Sequence, residues 1–517
     1  MPRPAIAVLL ALPGLLAPWA AGPAAQARGG SADPLPAISQ FSAVRPTDWA
    51  YQALVQLIER HGCVAGFADG RFAGERALSR FEAAAALQAC LERVSSTTDS
   101  ERRLLREFER ELAMLRGRVD GLEARVGTLE ALQFSPTSRL SGQATFVVGA
   151  NGFSGSASDL VNRNRASFGA TTFNYDVQLT VDTSFTGKDL LRANLRAGSF
   201  DSATNSFGGG GPSSLSVLEV AFQEDAGPDV LGIDRLYYQA PLGRGFTLTA
   251  GGRVGQEDML ALWPSVYPAD TVLDVLTLAG APTAYNRNIG AGAGLWWQHG
   301  GWSVSANYVA ANAGEGAPAS GGIGTTGSAS SGTVQLGYQQ ESWGAAFLYS
   351  AVQNGATSYG TAALMQVLSP DPPTSAVPNL THAFALSGYW QPARSGWVPS
   401  ISAGWGISST TYNLPQPPGS PTLSQSWSVG LQWLDALQRG NAAGLAFGQA
   451  PFITAQSGGI TPNDANWLWE WWYRFQLSDQ ISLTPALFYL WRPLGQDTPA
   501  GTSFQQLGAL VKTSFRF

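Results

Sequence analysis

The feature that most constrains this chain is a period of two in its side chains, which begins at Leu140 and recurs to the last residue. Across residues 173–182 the odd positions carry Phe, Tyr, Val, Leu and Val, whereas the even positions carry Asn, Asp, Gln, Thr and Asp. Alternation of this kind predicts β-strands with one apolar face and one polar face. We therefore predict a fold that is mainly β.

Sixteen segments repeat this pattern, and the gaps between them are alternately long and short. Seven short gaps predict tight turns and eight long gaps, rich in Gly, Ser, Pro and Asn, predict loops, with the strand-like residues 217–223 placed inside the second loop. This arrangement is typical of a 16-stranded antiparallel transmembrane β-barrel with both chain ends on the periplasmic side. The predicted strands are 140–149, 173–183, 189–198, 233–241, 245–252, 291–299, 301–309, 332–340, 342–350, 381–390, 398–407, 425–434, 442–449, 467–477, 480–491 and 505–517.

The charge distribution supports a membrane-facing barrel. Residues 140–517 carry 15 basic and 22 acidic side chains, about 10% of the segment, which is sparse for a sheet that faces bulk water. Beyond the N-terminus the sequence has no run of 18 apolar residues, so membrane-spanning helices are excluded. A closed barrel is the remaining way to satisfy backbone groups within a bilayer.

The first 27 residues have the pattern of an export signal. A short positive region at Met1-Pro2-Arg3 precedes the apolar residues 5–20, and Ala25-Gln26-Ala27 offers a cleavage site with small residues. We exclude residues 1–27 from the fold and expect the mature chain to enter an oxidising compartment.

Residues 38–94 predict a small module of two helices. Ser79 and Glu82 have the spacing of a capping box at the start of the second helix. Cys63 and Cys90 lie 27 positions apart in this module, and an even pair in an exported domain favours a disulfide. The alternative is two buried small apolar residues.

The same module resembles an S-layer homology domain. The resemblance lies in Phe41-Ser42-Ala43-Val44, Trp49-Ala50, residues 66–72 and residues 78–82. It implies that residues 28–97 form a periplasmic domain that binds a cell-wall polymer, either peptidoglycan or a polysaccharide linked to it. Arg80 would contact an anionic group of the polymer, because a guanidinium suits carboxylate or phosphate. Trp49 would provide an apolar wall for the sugar or lie in the core, and Glu82 completes the set that we assign to polymer binding.

Residues 98–135 carry a heptad repeat. Leu105, Phe108, Leu112, Leu115, Val119, Leu122, Val126 and Leu129 follow one another at intervals of three and four. This spacing predicts a coiled coil of about four heptads and hence self-association. The alternative is one amphipathic helix on the surface of its own domain.

Taken together, the module, the coiled coil and a barrel over residues 136–517 resemble the porins of cyanobacterial outer membranes. Their barrels are related to carbohydrate-selective porins, and they are often described as iron-uptake porins. The terminal Phe517 on an alternating strand also resembles the insertion signal of outer-membrane proteins. The resemblance implies a homotrimer embedded in outer-membrane lipid, with the N-terminal domain in the periplasm.

The long loop 253–290 is predicted to fold inward and narrow the channel. Arg253 continues the polar face of the preceding strand and is therefore predicted to face the lumen. Opposed charges across a constriction would create a transverse electric field that orders water and small ions. Each charge could equally belong to an ion pair that stiffens the barrel wall. The predicted constriction and lumen residues are Arg253, Glu257, Asp258, Asp270, Asp274, Arg287, Glu470 and Arg474.

We therefore predict an outer-membrane diffusion porin that passes inorganic ions and small solutes and is anchored to the cell wall. The alternatives are a structural tether between outer membrane and peptidoglycan with little transport, or a carbohydrate-selective pore. The absence of a basic excess argues against nucleic acid as a partner. Three His and two Cys, without a recognisable metal spacing or catalytic set, predict no enzyme activity, metal or cofactor.

Overall fold

The structure is a computed structural model of the whole chain. It describes residues 44–61, 63, 78–91, 98–109, 111–112, 115, 137–224, 226–268, 272–355, 359–369 and 378–517. The chain divides into two compact units, Met1–Leu132 and Gln133–Phe517. The predicted export signal and Phe41-Ser42-Ala43 lie outside the described residues, as does the segment 66–72.

The second unit is a closed barrel of sixteen antiparallel strands, which confirms the predicted strand number and order. Each strand pairs with its neighbours in sequence, and β1 closes the barrel against β16 in a continuous register from Gln143 opposite Arg516 to Ser154 opposite Gln505. The strands are Ser138–Ser154 (β1), Thr172–Thr183 (β2), Leu190–Gly198 (β3), Gly232–Gly243 (β4), Phe246–Gly255 (β5), Ile289–His299 (β6), Trp302–Ala310 (β7), Ser330–Gln339 (β8), Trp343–Gln353 (β9), Asn379–Trp390 (β10), Ser400–Tyr412 (β11), Pro421–Leu434 (β12), Ala442–Gln456 (β13), Trp467–Ser478 (β14), Ile481–Trp491 (β15) and Gln505–Arg516 (β16).

The two ends of the barrel differ in their connections. Seven connections, of two to nine residues, and both ends of the barrel chain lie at one end, which we call the turn end. Eight connections lie at the other, which we call the loop end and number loop 1 to loop 8 in chain order. Loop 1 contains helix Ser158–Phe168, and loop 5 contains helix Ala362–Leu368.

Period-two alternation places apolar side chains outward and polar or small ones inward. On β14, Trp467, Trp469 and Trp471 are exposed on the outer face. Glu470 and Trp472, at the alternate positions, point inward and are fully buried. A closed barrel has no edge, so its backbone groups are satisfied by the strand ladders and only side chains face lipid or lumen.

Loop 2 (199–231) and loop 3 (256–288) fold into the barrel and form its largest apolar core. The two loops meet in a short antiparallel bridge, in which the Glu219 amide donates to Val272 and the Asp274 amide donates to Val217. Residues 217–223 therefore lie inside loop 2, as predicted, and are not a barrel strand. The core contains Phe207, Leu215, Leu218 and Val220 of loop 2, Val272, Leu273, Val275 and Leu276 of loop 3, and Val147, Leu468, Trp472, Phe488 and Leu510 of the strands.

The described residues of the first unit include the helices α1 (Trp49–His61), α2 (Arg80–Leu91) and α3 (Asp99–Glu107). Cys63 and Cys90 form a disulfide in the structure, with Cα atoms 5.0 Å apart. Leu104, Phe108 and Leu112 are buried in one core with α1 and α2. The start of the predicted heptad therefore packs within its own unit, while residues 116–136 lie outside the described residues, so self-association stays a prediction.

Among the helices of the described segments, none is long and apolar enough to cross a membrane.

Candidate functional site

Loop 3 covers the inward face of strands β7 to β12. Hydroxyl groups on this wall donate to loop carbonyls, Ser350 to Ala284 at 2.9 Å, Ser387 to Ala279 at 2.7 Å and Ser426 to Gly280 at 3.0 Å. Buried polar groups need such partners, and here the loop backbone supplies them. Loop 3 therefore lies directly against this wall and buries its serines.

The opposite wall, on strands β2 to β4, keeps contact with solvent. Its inward charged side chains and those of loops 2 and 3 that face it retain between 13% and 36% of their surface, with the exception of the fully buried Asp176. We call this group the charged strip. It comprises Asp176, Asp182, Arg192, Arg196, Asp234, Arg235, Glu219, Glu257, Asp258, Asp274 and Arg287.

Two ion pairs join β2 to β3 within the strip. Arg192 binds Asp182 in a bidentate manner, with Nε and Nη2 each 2.8 Å from a carboxylate oxygen. Arg196 places Nε 2.6 Å from Asp176 and its guanidinium 4.6 Å from the centre of the Phe222 ring in loop 2. Both arginines lie on the inward face, and their fork geometry suits carboxylates.

Arg235 on β4 binds three carboxylates at once. Its guanidinium donates to Asp258 and Glu257 at 2.8 Å and to Asp234 at 3.0 Å. Glu257 and Asp258 begin loop 3, so this arginine fixes the start of the loop against the wall. Burial raises the pKa of Glu257, and Arg235 opposes that effect.

Arg287 forms a second cluster at the end of loop 3. Its guanidinium lies 2.8 Å from Asp274 and 3.8 Å from Glu219 of loop 2, and Asp274 also accepts the Tyr359 hydroxyl. Burial and the neighbouring Asp274 raise the pKa of Glu219 to about 7, against the opposing charges of Arg287, Arg196 and Lys512. The carboxylates of the charged strip thus outnumber its guanidinium groups.

The prediction that Arg253 faces the lumen is wrong. The register between β5 and β6 shifts between Gly251 and Val254, and this bulge reverses the alternation. Val254 points inward and is fully buried, whereas Arg253 lies opposite the exposed Leu236 on the outer face.

Glu470 faces inward as predicted, but it anchors loop 3 and does not reach the solvent. Its carboxylate accepts the Tyr267 hydroxyl at 2.5 Å and the Leu273 amide at 2.7 Å. The Trp472 indole donates to the Tyr267 hydroxyl at 2.7 Å, which completes a buried network.

The remaining predicted pore residues have separate outcomes. Glu257, Asp258, Asp274 and Arg287 come together in the charged strip. Arg474 lies half-buried on β14 opposite Ala442, and Asp270 lies outside the described residues.

Sequence reasoning did not assign Glu219, Arg235 or Tyr359 to the pore. Glu219 lies between Leu218 and Val220, whose alternation marks an extended segment, and this signal could have placed its carboxylate opposite the apolar core. No local pattern indicates that Tyr359 contacts Asp274, 85 positions away.

In the first unit, Arg80 is already paired within the chain. Its guanidinium lies 2.6 Å from Glu111 and 3.0 Å from Glu107, and hydrogen bonding to Glu111 raises its pKa. Trp49 is 38% exposed, with the Arg103 guanidinium 4.0 Å above its ring. Glu82 accepts the Ser79 amide at 2.8 Å and Ser79 accepts the Glu82 amide at 3.2 Å, which forms the predicted capping box.

Comparison with known proteins identifies similar chains. The chain is 32% identical to the uncharacterized protein alr4550 of Nostoc sp. over 549 residues, which cover 95% of this chain and 87% of that protein. It is 29% identical to the uncharacterized protein sll0772 of Synechocystis sp., covering 95% and 92% of the two chains.

Solved barrels also resemble this structure. Pseudomonas putida OprB matches with a TM-score of 0.45 and 12% identity, covering 74% of this chain and 94% of that one. An anion-selective porin from Comamonas acidovorans matches with a TM-score of 0.44 and 11% identity over 74% and 99%.

A family model described as "Carbohydrate-selective porin, OprB family" matches residues 96–505. This match spans more than half of the chain and includes β1 to β15. The chain therefore belongs to the OprB family of carbohydrate-selective porins and is a porin-like channel of the outer membrane.

Proposed function

We propose that this porin is a diffusion channel for inorganic ions and small hydrophilic solutes, with a preference for cations. The observation that carries the proposal is the charged strip. It contains seven carboxylates and four guanidinium groups along the solvent-exposed inner wall formed by β2 to β4. An excess of carboxylates at a constriction raises the local concentration of cations and lowers that of anions.

Single-channel recording in planar bilayers tests this proposal. Folded, unheated protein should give stepwise conductance, and a KCl gradient should give a reversal potential of the sign expected for K⁺ preference. Ferrous salt in place of KCl would test whether iron is among the permeant cations. Folded protein that inserts without conducting would contradict the channel and favour a tether between membrane and wall.

Carbohydrate passage is the second candidate, favoured by the family description and by aromatic rings beside the strip. Phe222 lies under Arg196, and Trp263 lies 5.7 Å from the Arg287 guanidinium. Aromatic faces pack against the apolar side of sugar rings. Liposome swelling with glucose and with a disaccharide separates the candidates, because a sugar-selective pore should admit both faster than a non-sugar solute of equal size.

We propose further that the first unit binds the cell wall through Arg80 and Trp49, with Glu82 holding the start of α2. The partial exposure of Trp49 supports this role. Co-sedimentation of the full-length protein with peptidoglycan sacculi tests it, and Trp49→Ala should reduce the bound fraction. Trp49 does not contribute to the Arg80 ion pairs, so equal sedimentation of this variant would contradict the assignment.

A homotrimer is the proposed assembly, with contacts on the face formed by β1 to β5. Residues 138–262, which include these strands, contain no tryptophan, whereas exposed tryptophans occur from β7 to β14 at positions that include 302, 343, 390, 405, 467, 469 and 471. Tryptophan is enriched where barrels meet the bilayer interface, so its absence favours protein contact on this face. Native mass measurement in detergent tests the subunit number.

A further inference from the structure

A cavity lies inside the turn end of the barrel. It has a volume of about 480 Å³ and is lined by Arg139, Ser141, Gln143, Gln178, Thr180, Gln480, Arg516 and Phe517, with the backbone of Gly142. Cavities of about 300–1,000 Å³ are the size that proteins use for small ligands. We call it the mouth cavity.

Apart from Phe517, whose ring lies beside Gly142 on the outer side, the strand side chains that line it belong to the inward face of the barrel. β1 and β2 pair without a bulge, so Arg139 lies opposite Asp182, Ser141 opposite Thr180 and Gln143 opposite Gln178. Asp182 is inward because it binds Arg192 within the charged strip. The mouth cavity is therefore the continuation of the strip toward the turn end.

Arg139 is the cationic side chain of this cavity that can bind a ligand. The structure gives its guanidinium no hydrogen bond or ion pair among the described residues, and the nearby Asp182 accepts Nε and Nη2 of Arg192 instead. Arg516 lies on the same cavity, where its Nε donates to the Gln143 side-chain oxygen at 3.0 Å. An exposed guanidinium with free donors binds a carboxylate in a bidentate manner.

The sign of the charge changes along the lumen. Near the loops, six carboxylates of the strip face three guanidinium groups, those of Arg196, Arg235 and Arg287. At the turn end two carboxylates, the side chain of Asp182 and the terminal carboxylate of Phe517, lie with three guanidinium groups, those of Arg139, Arg192 and Arg516. Amide and hydroxyl groups of Gln143, Gln178 and Thr180 complete the lining and can exchange hydrogen bonds with a polar solute.

We propose that the mouth cavity is a binding subsite for a small monocarboxylate that carries hydroxyl groups, that is, a sugar acid, with Arg139 binding the carboxylate and the amide side chains binding the hydroxyls. This inference rests on the proposed channel, because the solute must reach the cavity through the lumen or from the turn end. Binding at such a subsite is weak enough for the sugar acid to be released, and it lengthens the time that this class of solute spends in the channel.

Two measurements on the full-length protein test the subsite. Isothermal titration of the detergent-solubilised protein with gluconate reports binding without any need for conduction. Single-channel recording at about 0.1 M salt, where charges are screened beyond about 10 Å, reports block when gluconate is added. We expect saturable binding and concentration-dependent block, with glucose as the neutral probe producing far less of either.

Arg139→Gln and Arg244→Gln form a matched pair of variants. Both remove one arginine at the turn end, but Arg244 lies in the exposed β4–β5 turn and does not line the cavity. We expect gluconate affinity to fall about five-fold in Arg139→Gln, the scale of one partly exposed charged hydrogen bond, and to stay unchanged in Arg244→Gln. Heat-modifiable migration in gels verifies that both variants fold.

The outcomes separate this inference from the proposed function. A conducting channel whose gluconate affinity is absent, or equal in the wild type and Arg139→Gln, overturns the subsite and leaves the channel intact. Saturable gluconate binding by protein that does not conduct overturns the channel and retains the subsite. Inorganic phosphate binding as tightly as gluconate would contradict the sugar-acid assignment.

Discussion

At the scale of single residues, the direction of a side chain decides its role more than its chemical type does. Arg253 and Arg235 are both arginines near the loop end, yet one lies on the outer face and the other binds three carboxylates in the lumen. The bulge on β5 reverses the direction of Arg253, and only backbone pairing reveals it. Glu219 likewise acquires its role from the neighbours that loop 3 brings to it.

Glu219 should make cation preference depend on pH. Its pKa of about 7 means that the carboxyl is neutral below this value and negative above it, so the charged strip gains one negative charge as pH rises. We expect the reversal potential under a KCl gradient to shift toward stronger K⁺ preference between pH 5.5 and 8.5.

The variant Glu219→Gln should hold the potential near the low-pH value of the wild type at both pH values. Glu315→Gln is the matched control, because Glu315 is an exposed acid in loop 4, outside the charged strip. An equal pH response in wild type and Glu219→Gln would contradict the assignment.

At the scale of elements, loops 2 and 3 form one internal structure. Their bridge at Leu218 and Leu273 buries both leucines and places Glu219 and Asp274 beside Arg287. Loop 3 is then fixed at three places, by Arg235 at its start, by Glu470 near its middle and by wall hydroxyls along its second half. These contacts hold loop 3 against the barrel wall.

The variant Glu470→Ala should loosen the middle of loop 3. It leaves the Tyr267 hydroxyl and the Leu273 amide without their acceptor, and buried hydrogen bonds to charged groups contribute about 1.5–3 kcal/mol each. We expect higher and noisier single-channel conductance, while the strand ladder keeps the barrel folded.

Tyr267→Phe removes the hydrogen bond to Glu470 and the one from Trp472, but it keeps the Leu273 amide bonded to Glu470, so it should show a smaller change in the same direction. Identical conductance traces for wild type and Glu470→Ala would show that loop 3 does not depend on this anchor.

At the scale of the whole molecule, the barrel and the N-terminal unit have separate sources of stability. The barrel is closed by the pairing of β1 with β16, whereas the described part of the first unit has a small core around α1, α2 and α3, which the Cys63–Cys90 disulfide joins. A small core stabilises a domain weakly, so a cross-link contributes a large share of its stability.

Replacing both cysteines, Cys63→Ser with Cys90→Ser, should destabilise the first unit by about 3.5 kcal/mol, the chain-entropy value for a loop of 27 residues. We expect faster cleavage within the first unit by limited proteolysis. Channel conductance and heat-modifiable migration of the barrel should remain unchanged. Loss of conductance would show that the two units fold together.

The sequence by itself determined the sixteen strands and their order, because a barrel strand repeats a local period of two. It also placed Glu257, Asp258, Asp274 and Arg287 in the inward-folding loop. Only the tertiary structure decided that Arg253 points outward and that Glu470 anchors loop 3 rather than lining the pore. Those outcomes depend on a bulge and on contacts between residues about 200 positions apart, which no local pattern records.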